Sequence, residues 1–135
     1  MRINCARQPN GGFVVEIYTF RKDTGKKVTH DASDFVLTRM IQTKTDANIG
    51  CMYLERGGIV GYHQAKVPQL LLVIHGRALV RTEKTIDVEV EAGDAVFWKK
   101  DEWHESKTET GMTAIVLESE TLDPSPYMPL VSRFD

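Results

Sequence analysis

Two histidines and one glutamine have the spacing from which chemistry is expected. His63 and Gln69 lie in one stretch rich in strand-forming residues, and His104 lies at the end of a second such stretch. Side chains alternate between the two faces of a strand, so His63 and Gln69 share a face if the strand between them is unbroken. Imidazole nitrogens and an amide oxygen suit either a divalent first-row metal or the polar part of a small molecule. The sequence therefore predicts a site where these three side chains converge.

Short strands separated by tight turns are predicted to position these side chains. Turn signals such as Asp23-Thr24-Gly25 and Ala92-Gly93-Asp94 recur at short intervals, and the runs between them are rich in Val, Ile, Thr and aromatic residues. The stretch 35–43 fits a strand or a short helix, and its β-branched residues favour a strand. Strands or hairpins are predicted over 13–20, 49–54, 70–74, 81–90 and 113–117. This pattern is typical of an antiparallel sandwich or barrel.

The central third of the chain resembles the first sequence motif of the cupin family. Gly57, His63 and Gly76 stand at the places of its opening glycine, its first histidine and its closing glycine. Ala65 stands where the second histidine of the motif lies, and Gln69 stands where its glutamate lies.

The second cupin motif is matched in the same partial way. Gly93 and His104 occupy the places of its glycine and its histidine. Its proline, second glycine and asparagine are replaced by Lys99, Asp101 and Thr108. The resemblance implies an all-β fold, the double-stranded β-helix or jelly-roll barrel of the cupins.

The resemblance also implies how the chain is organised. Residues 1–135 would form a single cupin-like domain with its core motifs in 57–108. An irregular C-terminal tail, 121–135, contains several prolines, which cannot continue a strand ladder.

Two functions follow from this resemblance, and the residues alone do not choose between them. The first is small-molecule binding with a weakly held divalent metal on His63, Gln69 and His104, and with metal-dependent oxygenase, isomerase or decarboxylase activity. Zinc, nickel or copper would be favoured over iron or manganese by the general affinity order. The second is a non-catalytic ligand sensor or storage module, whose metal-free polar pocket would bind a carboxylate, a hydroxyl or a water.

Two aromatic residues are further candidates for ligand binding. Trp103 precedes His104, where the rim of a pocket and a surface cover are equal alternatives. Tyr53 lies on the predicted strand before the first motif beside Met52, and one of these two side chains faces inward.

Composition and charge narrow the choice of partners. The formal net charge of −2 argues against a nucleic-acid-binding protein, and the longest apolar run, 70–74, is too short to cross a membrane. Cys5 and Cys51 are too far apart to suggest a disulfide framework, so reduced thiols and a cytoplasmic location are expected. Residues 70–74 are apolar on both faces and need a cover on each side. Together with the resemblance, because small cupins are often dimers, this predicts a homodimer.

Overall fold

The structure is a computed structural model that describes residues 15–83 and 86–134. Regular structure in these residues is almost entirely strand, with one short 3-10 turn at Lys22–Thr24. The strands in chain order are β1 (Val15–Thr19), β2 (Lys26–Val28), β3 (Phe35–Leu37), β4 (Asn48–Leu54), β5 (Ile59–Gln64), β6 (Gln69–Thr82), β7 (Val88–Glu91), β8 (Asp94–Trp98), β9 (Trp103–Lys107), β10 (Met112–Glu118) and β11 (Leu130–Phe134).

The strands form two antiparallel sheets that share the long strand β6. The first sheet has the order β11-β1-β8-β6-β10-β4, and in the second β5 pairs with β9, β9 with β6, and β6 with β7. Strands β2 and β3 form a separate hairpin. This is a jelly-roll arrangement, and it confirms the fold class predicted from the sequence.

Strand β6 passes from the first sheet to the second through a bulge. Strand β10 pairs with both Val73 and His75, which leaves Ile74 as the extra residue. Gly76 follows with a φ of 82°, and a Cβ at this position would overlap the carbonyl oxygen of Gly111 on the neighbouring chain segment. The closing glycine of the first motif therefore has a structural reason, since only glycine allows both this φ and this close approach.

Apolar side chains from both sheets fill the space between them. The buried cluster takes members from β1, β6, β7, β8 and β10, among them Ile17, Val73, Val80, Val90, Val96 and Met112. Burial of such side chains on both inner faces holds the sheets together.

The outer face of the first sheet is covered by the chain itself. Leu70 and Leu72 are buried there in one cluster with Leu122 and Met128 from the C-terminal tail, and Met40 packs against that cluster. A second subunit was predicted to provide this cover, but these two leucines are covered by residues of the same chain.

Two of the predicted strands are shorter in the structure. The prediction over 13–20 corresponds to β1, and residues 13 and 14 lie outside the described residues, as does Cys5. In the stretch 35–43 only Phe35–Leu37 forms a strand. Within the described ranges, no helix is long and apolar enough to cross a lipid bilayer.

Candidate functional site

A cavity of about 460 Å³ lies between the two sheets. Strands β4, β6, β8 and β10 of the first sheet and β5 and β9 of the second contribute to its wall. Its lining residues are Asn48, Ile49, Gly50, Cys51, Met52, Val60, His63, Gln69, Leu71, Trp98, His104, Ser106, Val116 and Glu118. This set contains one carboxylate and no lysine or arginine.

The three side chains predicted to converge all line this cavity. His63 on β5 pairs directly with His104 on β9, and their ring centroids are 4.4 Å apart with the planes at 57°. His104 is only 2% exposed, whereas His63 is exposed. Gln69 opens β6 on the opposite sheet. The chain between His63 and Gln69 is not one continuous strand, so they meet because the sheets face each other and not because they share a strand face.

Hydrogen bonds to backbone carbonyls fix the tautomer of both imidazoles. His63 Nδ1 lies 2.7 Å from the carbonyl oxygen of Gly61, and His104 Nδ1 lies 3.2 Å from that of Glu102. A carbonyl oxygen only accepts hydrogen bonds, so each Nδ1 carries the proton and donates it. In the neutral ring Nε2 then holds a lone pair. No side chain or backbone group among the described residues hydrogen-bonds His104 Nε2, although this ring is buried.

The turn before β9 holds His104 in place. The backbone N–H of Asp101 donates to the carbonyl oxygen of Ala65 at 2.7 Å, and the N–H of Ala65 donates to that of Glu102 at 3.0 Å. The carboxylate of Glu102 accepts the backbone N–H of Lys99 at 3.0 Å. Asp101 has a φ of 70° at the position where the cupin motif has glycine, a conformation that aspartate tolerates better than most residues. These bonds connect the turn to the end of β5 and orient His104.

Burial gives the site an unusual protonation pattern. Trp98 stacks on His104 with ring centroids 4.6 Å apart and an angle of 15° between the planes. Burial lowers the pKa of His104 from 6.5 to about 4, and the nearby His63 adds to this effect, while the hydrogen bond to Glu102 opposes it. Burial also raises the pKa of Glu102 from 4.5 to about 7, against the opposing effect of Lys99. His104 is therefore a neutral imidazole at neutral pH.

The carboxylate of the cavity, Glu118, was missed in the sequence analysis. It is the last residue of β10 and lies beside Gln69 in the β6–β10 pair. No cation of the described residues lies within 4 Å of its carboxylate. Alternation along β10 from Ala114 through Val116 reaches Glu118 on the inner face, and this was the available signal.

The two aromatic candidates do not line the cavity. Tyr53 is 73% exposed on the outer face of β4, and Met52, its neighbour, is the residue that lines the cavity. Trp103 is 39% exposed and stacks on Tyr62 with centroids 5.4 Å apart. Strand alternation separates Trp103 from His104, so the surface alternative describes its position.

Other residues of the wall were not assigned from the sequence. Trp98 faces the cavity because it pairs with Gln69 across the β6–β8 ladder. Ser106 follows His104 on the same face of β9. Cys51 is exposed and contributes to the cavity wall.

The donor set does not match a four-ligand cupin metal site. Ala65 stands in place of a histidine ligand and its methyl group is buried. Within residues 15–83 and 86–134, no group of three His, Cys, Asp or Glu side chains is arranged to hold a metal ion. Two imidazoles and the Gln69 amide are neutral donors, and none offsets the charge of a divalent ion.

The fold matches solved cupin structures at low sequence identity. A cupin 2 domain-containing protein from Halorhodospira halophila aligns with a TM-score of 0.55 and 13% identity, over 81% of this chain and 77% of that chain. A cupin superfamily protein from Desulfitobacterium hafniense aligns with a TM-score of 0.52 and 12% identity, over 61% and 74%. The CENP-C cumin domain of Drosophila melanogaster aligns with a TM-score of 0.50 and 22% identity, over 70% and 72%.

No protein-family model and no curated protein sequence matches the chain. At these identities the structural likeness speaks for the fold alone. The chain has the cupin fold.

Proposed function

We propose that this protein binds a small molecule in the cavity between its sheets, with His63 and His104 contacting the polar part of the ligand. The observation that carries this proposal is the buried Nε2 of His104, which has no hydrogen-bond partner among the described residues. Buried polar atoms are nearly always satisfied by protein, water or ligand. A cavity of about 460 Å³ falls within the usual size range of ligand sites.

The wall of the cavity divides into polar and apolar parts. His63, His104 and Gln69 supply polar groups, whereas Leu71 and Val116 supply apolar surface. A ligand with both kinds of surface would bury its apolar part and keep its hydrogen bonds, which is the usual composition of small-molecule sites.

Thermal stabilisation by a panel of small metabolites, measured in EDTA, tests this proposal. A ligand that prefers the folded state stabilises it, by about 2.7 kcal/mol at a hundred times its Kd. We expect at least one compound to raise the Tm of the wild type, and V116F, which fills the cavity, and H63Q to abolish or reduce the effect. V131F makes the same substitution at an exposed position of β11 that does not line the cavity, and it is the matched control. Absence of any stabilising compound, or stabilisation that persists in V116F, would contradict the proposal.

A weakly held divalent metal on His63, Gln69 and His104 is the second candidate. It is favoured by the two Nδ1–H···O=C hydrogen bonds, because ligating histidines commonly donate their other ring nitrogen in this way. Such an ion would supply Lewis-acid chemistry, and the oxygenase, isomerase and decarboxylase activities belong to this candidate. A metal-free sensor or storage module is the alternative.

Elemental analysis of untagged protein and titration with zinc or nickel separate these two candidates. Uptake near one equivalent that is lost in H63A and H104A supports the metal, and Q69E should then tighten binding by adding a negative charge. No uptake in either titration excludes the metal and leaves the metal-free module.

We further propose that the chain forms a homodimer through the free edge of β4. Among the described strands, β4 pairs only with β10, and Ile49 and Tyr53 are exposed on its outer face. Exposed strand edges with apolar side chains favour pairing with another chain. The Drosophila CENP-C domain has been solved bound to CAL1, so a different protein partner is the alternative. Light scattering should give the mass of a dimer for the wild type and of a monomer for Y53E, and a monomeric wild type would contradict the proposal.

A further inference from the structure

The geometry points to the chemical class of the ligand: we infer that the cavity takes a small aliphatic amine, whose N–H or O–H groups donate to acceptors on both of its sides. This inference rests on the small-molecule binding proposed above. It depends on three observations, namely the orientation of the imidazoles, the charge of the wall and the distance between its polar ends.

The histidine side of the cavity accepts hydrogen bonds. Both Nδ1–H groups are used by the carbonyl oxygens of Gly61 and Glu102, so they are not available to a ligand. When it is neutral, each ring therefore offers a ligand the lone pair of Nε2. In the buried His104 ring this lone pair is the polar group that remains for a ligand. The ligand must supply an N–H or O–H donor at this point.

The charge of the cavity wall disfavours a negatively charged ligand and favours a positively charged one. Glu118 is the carboxylate of the lining, and no lysine or arginine among the described residues lines the cavity. The side chains of Gln69 and Asn48 lie near it on the neighbouring strands. A carboxylate ligand, which the sequence analysis had left open, would meet two lone pairs and a like charge. An ammonium group would instead form a charge-assisted hydrogen bond with Glu118.

The two polar ends are separated by a short apolar stretch. Trp98, against which His104 stacks, and Glu118 pair with Gln69 from opposite sides, so they stand two strand spacings apart, or about 10 Å. Leu71 and Val116 line the wall in this region. A ligand with donors at both ends of a short alkyl chain, a diamine or an amino alcohol, satisfies both ends and covers the apolar wall.

Titration calorimetry with three probes of equal chain length tests the inference. The probes are 1,4-diaminobutane, 4-aminobutan-1-ol and butanedioate, in EDTA at about pH 7.5. We expect both amines to bind and butanedioate not to bind. E118Q should weaken amine binding on the order of tenfold or more, because it removes a charged acceptor while keeping the shape. E120Q, an identical change on an exposed residue two positions along the chain, should leave the affinity unchanged.

The variant E118D separates the charge from the fold. It keeps the negative charge, so it should bind the amines more tightly than E118Q. Equal affinity in the wild type and E118Q, binding of butanedioate in place of the amines, or binding of none of the three probes would overturn the inference. If a neutral or anionic compound from the metabolite panel stabilises the wild type and V116F abolishes that stabilisation, the proposed small-molecule site stands and only the ligand class inferred here is wrong. If V116F reduces the stabilisation by none of the compounds, the proposed small-molecule site and the inferred ligand class both fail.

Discussion

Replacing Glu102 by glutamine should make the stability of the protein fall as the pH drops from about 7.5 to about 5. The side-chain oxygen of glutamine can still accept the N–H of Lys99, so the turn before β9 keeps its hydrogen bond. The change removes the buried carboxyl group of Glu102, whose effect on the pH dependence of stability is opposite to that of His104. The variant thereby exposes the effect of the buried imidazole on stability.

The sign and size follow from the two pKa shifts. His104 has a pKa of about 4 in the folded protein and 6.5 as its ordinary value, so the unfolded chain binds a proton more readily between these values. Stability is therefore full above the ordinary pKa and is lost as the pH falls towards 4. At one pKa unit per 1.36 kcal/mol, the loss by pH 5 is about 2 kcal/mol. Glu102, with its pKa raised to about 7, instead gains stability as the pH falls from 7 to 4.5, and by less because it is partly exposed.

Urea unfolding in EDTA at both pH values provides the assay, with E102Q, H104N and the double variant E102Q/H104N. Asparagine at position 104 can still donate to the backbone carbonyl of Glu102, and the double variant lacks both buried titrating groups. The free energy of unfolding should fall by about 2 kcal/mol more in E102Q than in the double variant, since all other titrating groups are common to both. If the two variants change alike with pH, the buried neutral imidazole is refuted.

Two further predictions concern the scaffold that holds the site. G76A should lower the free energy of unfolding by about 3 kcal/mol or more, because its Cβ would overlap the Gly111 carbonyl and the φ of this position is left-handed. The control G61A, with open space around its Cβ, should change it by about 0.5 kcal/mol or less in the same urea titration, and equal effects of the two variants would contradict the close approach. T108V should cost about 1–3 kcal/mol by the same measurement, because the Thr108 hydroxyl donates to the Arg77 carbonyl at 2.7 Å and accepts the Gly111 N–H at 2.9 Å, and a variant as stable as the wild type would show that these bonds contribute nothing.

The sequence predicted the fold because local and long-range signals agreed. Turns and β-branched runs gave the strands, and the spacing of Gly57, His63, Gly76 and His104 matched the cupin motifs. In the structure His63 and His104 pair across the β5–β9 ladder, Gly76 follows the bulge of β6, and Gly57 and Gly76 both have a positive φ. Turns and bends of the backbone require particular residue types, such as glycine, at single positions, so they can be recognised from one sequence.

The rest of the site depends on contacts that no local pattern records. Alternation alone left Met52 and Tyr53 undecided, because β4 is an edge strand and its pairing partner sets which face is buried. The burial of Leu70 by Leu122 joins distant parts of the chain, so a second subunit was an equally good explanation from sequence. Strand alternation would have placed Glu118 on the inner face, but the strand was predicted to end at residue 117, whereas β10 ends at Glu118.

The most direct test of the central claim is a long-range 1H–15N spectrum of the histidine side chains, recorded with the ring-proton NOEs in EDTA at about pH 7.5. We predict that His63 and His104 both carry their proton on Nδ1 and that their ring protons show mutual NOEs, as the 4.4 Å separation of the ring centroids requires. Exposed His30 and His75 serve as internal references. A proton on Nε2 of His104, or no NOE between the two rings, would contradict the account.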